Sequence, residues 1–121
     1  MKAVVVRPDP GSEYSTPERC AILESWNRPE DAPVSISRAR VAPGASTRPH
    51  RLRGVVERYV IVEGQGAVTL GDDPVQAVGP GDVVVIPAGV PQSIRNAGEI
   101  DLVFYCVCTP RFTPECYESL D

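Results

Sequence analysis

Short apolar stretches alternate with turns rich in Gly, Pro, Asp and Asn along the whole chain. That spacing constrains the fold more than any other feature, because it is the pattern of a β-sandwich or barrel. The turn signals are Gly64-Gln65-Gly66, Gly71-Asp72-Asp73-Pro74, Gly79-Pro80-Gly81, Ala88-Gly89-Val90-Pro91 and Asn96-Ala97-Gly98. Glycine allows the positive φ that tight hairpins need, and proline presets φ. Between and around the turns the pattern predicts strands over 2–7, 19–26, 34–42, 55–63, 67–70, 75–78, 82–86, 92–95 and 102–108. Proline makes up 13 of the 121 residues, about twice its ~5% average share. Long helices are therefore not expected, since proline breaks the helical hydrogen-bond ladder.

At 121 residues and 13.0 kDa the chain has room for one core, so a single domain is expected over 1–121. Its centre is placed at 34–110, with proline-containing polar arms at 9–18 and 109–121 that pack on the barrel or on a partner. The net charge of −4 argues against general nucleic-acid binding. No apolar run is long enough for a membrane helix, and residues 1–9 lack the shape of a signal peptide. A cytoplasmic protein with reduced Cys20, Cys106, Cys108 and Cys116 is expected. Residues 55–63 and 83–86 are apolar at nearly every position, which implies cover on both faces of these strands. The cover is either the chain's own termini or a second subunit, and a homodimer is the simplest source.

Residues 34–62 carry six arginines (Arg38, Arg40, Arg48, Arg51, Arg53 and Arg58) against one acid, Glu57. Such a patch is either a solvated face or an attractor of anions. In a regular strand Arg51 and Arg53 point opposite to His50 and Leu52, whereas Arg48 shares the parity of His50. Arg48 is therefore the candidate cation for an interior pocket.

Two segments carry a family resemblance. Gly44–Gly64 reads GASTRPHRLRGVVERYVIVEG, and Gly81–Asn96 reads GDVVVIPAGVPQSIRN. Together they resemble the two signature motifs of the cupin superfamily, small single-domain barrels among them. Gly44, His50, Glu57 and Gly64 fall at the first motif's spacings, and Gly81, Pro87, Gly89 and Asn96 at the second's. Leu52 and Gln92 stand where the motifs have their other histidines. The resemblance implies a double-stranded β-helix, or jelly-roll, barrel with a pocket in its mouth. In metal-binding cupins three histidines and a glutamate hold a divalent ion there.

Here His50 is the only histidine in the chain. Leu52 cannot bind a metal, and Gln92 offers a neutral amide oxygen, a weaker ligand than imidazole. Three readings of the pocket follow. In the first and leading one, no metal is tightly bound and a small organic ligand, anionic if Arg48 meets it, is held by Arg48, His50, Leu52, Glu57, Tyr59 and Gln92. In the second, His50, Glu57 and Gln92 keep a divalent Zn, Ni, Fe or Mn ion and serve an isomerase or dioxygenase. In the third, His50 and Glu57 act as general acid and base without metal. A metabolite-sensing interaction module is a further alternative. A histidine hydrogen-bonded to a glutamate for structural reasons is the plainest one.

The serines lack a nucleophile elbow, and no phosphate-binding loop is present. Cys106 and Cys108 share parity and could add thiolate ligands, although the motif spacing does not place them at the ligand ring.

Overall fold

The computed structural model describes residues 1–121. Its eleven strands are β1 (Tyr14–Ser15), β2 (Ala21–Trp26), β3 (Ser35–Val41), β4 (His50–Leu52), β5 (Val56–Glu63), β6 (Gly66–Leu70), β7 (Gln76–Val78), β8 (Val83–Ile86), β9 (Gln92–Asn96), β10 (Leu102–Thr109) and β11 (Tyr117–Ser119). The only helical pieces are three 3-10 turns at Pro10–Ser12, Pro29–Asp31 and Pro114–Cys116. Each opens on proline, whose missing N–H costs nothing at the first helical position. No helix is long and apolar enough to cross a membrane.

The strands form two antiparallel sheets, β1-β2-β3-β10-β5-β8 and β11-β4-β9-β6-β7. The expected all-β, double-stranded β-helix barrel is what the chain forms. Inward positions alternate along each strand, as the pleat requires. Tyr59 and Ile61 of β5, Ile94 of β9, and Phe104 and Cys106 of β10 meet Val68, Val84 and Ile86 in the main core. Phe104 packs its ring against Tyr59 at 4.5 Å between centroids. A smaller cluster of Leu52, Val55, Cys108 and Cys116 closes the other end.

Motif residues outside the pocket have structural duties. Gly64 sits at φ 85°, and a Cβ there would come 2.6 Å from the carbonyl oxygen of Asp101, so no other residue fits without a shift. The amide of Asn96 donates to the carbonyls of Val41 (2.9 Å) and Ile100 (2.8 Å) and accepts from Gly98 N–H (2.9 Å). A fully buried side chain is thereby satisfied.

Several expectations need correction. Residues 2–7 form no strand, and Val4, Val5 and Val6 are exposed. β propensity alone makes no strand without an edge to pair with. Three short strands went unforeseen: β1, β4 and β11. The polar arms supply two of them, with β1 pairing β2 and β11 pairing β4. Within the single chain the apolar runs of β5 and β8 alternate in burial. Val60, Val62, Val83 and Val85 lie on the outer face, 37–57% exposed. The chain's own termini leave that face open.

The six-arginine stretch does not form one patch. Arg38 and Arg40 pair with Glu13, Arg40 also with Asp101, and Arg51 and Arg53 with Glu118. Strand parity divides them between faces, and carboxylates from the terminal arms neutralise most of them.

Candidate functional site

A cavity of about 1030 Å³ opens between the two sheets. His50 and Gln92 are direct cross-strand partners on β4 and β9. Glu57 and Tyr59 alternate on β5 of the other sheet, and both are buried. The Tyr59 hydroxyl donates to Gln92 Oε1 across the interior. The sheets thus bring together the four residues that motif spacing and strand parity single out. Leu52 lines the same cavity as an apolar wall.

Glu57 is 8% exposed and Gln92 2%. Glu57 Oε2 accepts from the Cys108 thiol at 3.5 Å. Glu57 Oε1 and Gln92 Nε2 are both buried without a hydrogen-bond partner. Burial pushes the Glu57 carboxyl above its ordinary pKa, and Glu18 adds to the rise. His50, Cys108 and the amide of Gln92 pull the other way. Desolvation of the charged form is the stronger effect.

The orientation of His50 follows from its partners. Nδ1 lies 2.8 Å from the Arg48 carbonyl oxygen and 3.3 Å from Glu18 Oε2. A carbonyl only accepts, so in the neutral ring Nδ1 carries the hydrogen and Nε2 is left as the free acceptor. Tyr117 of β11 stacks on the imidazole at 5.1 Å and 27°.

Glu18 and Tyr117 were missed in the sequence, because both lie in the polar arms outside the motifs. Glu18 is held by a tight turn. Thr16 N–H donates to the Cys20 carbonyl (2.9 Å), and Glu18 N–H donates to Thr16 Oγ1 (3.2 Å). Arg19 takes a left-handed conformation with φ 68° there, at a cost of about 1–2 kcal/mol for a non-glycine residue. Burial raises the Glu18 carboxyl, against the pull of His50, Tyr117 and Arg48. The Tyr117 hydroxyl is raised to about 12, first by burial and then by Glu18.

Arg48 lines the cavity, as its parity predicts, and is 43% exposed at the rim. Its guanidinium stands 3.7 Å from Asp121. Arg51 and Arg53 are engaged with Glu118. Cys106 and Cys108 also face the interior, and burial pushes both thiols up. They are poor nucleophiles in that state.

The donor set does not fit a tightly held transition metal. Gln92 Oε1, the one amide atom that could ligate, accepts from Tyr59. No three His, Cys, Asp or Glu side chains are arranged to hold a metal ion. His50, Glu57 and Glu18 line the cavity but are not grouped as the three protein ligands usual even in open catalytic sites.

Comparison with known proteins agrees with the barrel. The family model described as the cupin domain matches residues 37–108. An uncharacterized protein of Methanocaldococcus jannaschii, MJ1618, is 30% identical over 123 residues, covering 100% of this chain and 98% of that protein. Among solved structures, a predicted oxalate decarboxylase from Thermotoga maritima superposes with a TM-score of 0.75 at 24% identity, over 88% of this chain and 99% of that one. An uncharacterized double-stranded β-helix protein from Klebsiella pneumoniae gives 0.73 at 16% identity, over 96% and 90%. At such identities the structural likeness concerns the fold alone. Motif register, barrel topology and the match over 37–108 together place the chain in the cupin family.

Proposed function

We propose that this chain binds a small polar organic molecule inside the barrel, with His50, Glu57, Tyr59 and Gln92 as the polar recognition set and Leu52 as an apolar wall. One observation carries the reading: Glu57 Oε1 and Gln92 Nε2 are buried and form no hydrogen bond, although the amide stands near enough to pull the Glu57 pKa down. Leaving such groups unmet costs about 1–3 kcal/mol each. A ligand hydroxyl satisfies both at once, donating to Glu57 and accepting from Gln92. The cavity volume of about 1030 Å³ is ample for a metabolite-sized guest.

The test is a thermal-shift and protein-observed NMR screen of a metabolite panel against the wild-type chain and Glu57→Gln. A hit that shifts the His50 ring signals and weakens in Glu57→Gln supports the reading. Hits that leave His50 unmoved, or no hit at all, overturn it.

A second reading, acid–base catalysis, is favoured by the His50 geometry. Nδ1 is anchored on Arg48 and Glu18, which leaves Nε2 as a base beside the raised carboxyl of Glu57. Two groups of opposite proton demand in one cavity suit proton transfer on a bound substrate. Turnover lost in both His50→Gln and Glu57→Gln, with binding retained, distinguishes an enzyme from a binder.

We further propose that a second copy of the chain covers the outer face of β5 and β8. Support comes from its exposed valines, which the chain's own arms leave uncovered.

A further inference from the structure

Arg111 is the one cavity-lining arginine with no carboxylate within 4 Å. Arg48, the cation that strand parity favours, faces Asp121 and lowers the pKa of Glu18, so its charge is offset. Arg111 has neither kind of neighbour. Glu24 and Glu115 also line the cavity, yet neither pairs with it. Instead its Nη1 donates to the neutral Asn27 Oδ1 at 2.8 Å. That bond orients the guanidinium without quenching its charge.

The backbone around Arg111 is tied down. Arg111 N–H donates to the Ala32 carbonyl (3.0 Å), Phe112 N–H to Ser35 Oγ (2.9 Å), and Asn27 Nδ2 to the Phe112 carbonyl (2.8 Å). A cation fixed in this way loses little freedom on binding an anion. The sheet places the backbone next to it relative to Glu57. Ser35 is the cross-strand partner of Cys108, and Cys108 is that of Glu57. Two strand spacings, about 10 Å, separate the Phe112–Ser35 contact from the Glu57 backbone.

We infer that Arg111, oriented by Asn27, is the anion-anchoring residue of the cavity, and that the ligand is a hydroxylated carboxylic acid. Its carboxylate meets Arg111, and a hydroxyl several bonds away meets Glu57 and Gln92. This rests on the cavity reading above and deepens it. A second carboxylate at the Glu57 end is disfavoured, because it would face Glu57 and Glu18. A neutral polyol leaves the Arg111 charge unmet.

The test uses two acyclic probes that differ in one group, D-gluconate and D-glucitol, titrated calorimetrically into the wild-type chain at neutral pH. Gluconate is expected to bind more tightly than glucitol by about tenfold or more, the worth of one charge-assisted pair. Arg111→Gln is expected to remove that preference and leave glucitol unchanged, while Arg111→Lys keeps part of it. Arg48→Gln is expected to change gluconate affinity by less than about threefold, as for a rim charge already offset.

Equal affinity for the two probes, or no binding of gluconate, overturns the assignment. So does a loss confined to Arg48→Gln. Gluconate binding that falls in Glu57→Gln but stands in Arg111→Gln overturns the Arg111 role and leaves the cavity reading intact. Binding indifferent to both variants overturns both.

Discussion

Glu18 Oε2 lies 3.3 Å from Nδ1 of His50, so the chain's sole histidine is oriented by a residue of the N-terminal arm. The Arg48 carbonyl accepts the hydrogen bond from the same nitrogen at 2.8 Å. The Nδ1 edge is thereby occupied, and Nε2 is the nitrogen available to a ligand.

The neutral His50 ring is expected as the Nδ1–H tautomer. Long-range proton–nitrogen NMR spectra read this directly, since one histidine yields one set of signals. Glu18→Ala keeps the tautomer, because the Arg48 carbonyl remains. A dominant Nε2–H form in the wild type would contradict the geometry.

Stability should respond to Glu57 in a definite direction. Its folded-state pKa is raised above the ordinary 4.5 by burial. The folded state then holds a proton that the unfolded state releases. That contribution is fully present below about pH 4.5 and is lost as pH rises through the folded value. Glu57→Gln is accordingly expected to match the wild type near pH 4 and to exceed it at pH 7–8. The gain should grow steadily with pH above the ordinary carboxylate range. Melting curves across that pH range check it, and a destabilised variant at pH 8 would refute the desolvation argument.

Metal content should depend on two positions. After loading with zinc and exhaustive dialysis, the untagged wild type is expected to retain far less than one equivalent, because no three of its side chains are grouped to hold the ion. Leu52 lines the cavity beside His50, and Gln92 pairs with His50 across β4 and β9. Leu52→His combined with Gln92→His is therefore expected to retain close to one equivalent. Elemental analysis measures both, and a folded double variant that binds no zinc would show that these positions do not converge.

The outer face of β5 and β8 should bury itself in solution. Light scattering on the eluting protein is expected to give about twice the 13.0 kDa chain mass. Val60→Glu with Val85→Glu is expected to halve it while the fold survives, since both side chains are exposed in the single chain. A wild-type monomer would refute the second-copy cover.

Phe104→Ala should cost about 3–5 kcal/mol in urea titration, as a buried aromatic in a packed core does. Phe104 is 2% exposed and packs at a 46° tilt against Tyr59. The loss should also loosen the Tyr59–Gln92 bond that spans the sheets.

Much of the site was legible because its signals are local. Alternation along β5 puts Glu57 and Tyr59 on one face whatever the rest of the chain does. The chain turns between His50 and Glu57 at Gly54 (φ 71°) and between Glu57 and Gln92 at glycines such as Gly64, where a side chain would strike Asp101. Another signal misled. The valines at 4–6 have strand propensity but no edge to join.

The sequence by itself determined the all-β barrel and the inward-facing set of His50, Glu57, Tyr59 and Gln92. These depend on period-two alternation and on turn residues whose backbone needs are local. Only the tertiary structure decided that Glu18 and Tyr117 hold His50, and that Arg48 is offset while Arg111 is not. Glu18, Arg111, Tyr117 and the Asp121 that faces Arg48 come from polar arms without periodicity. Their roles arise from contacts between distant parts of the chain, and no local pattern encodes which arm folds over which end of the barrel.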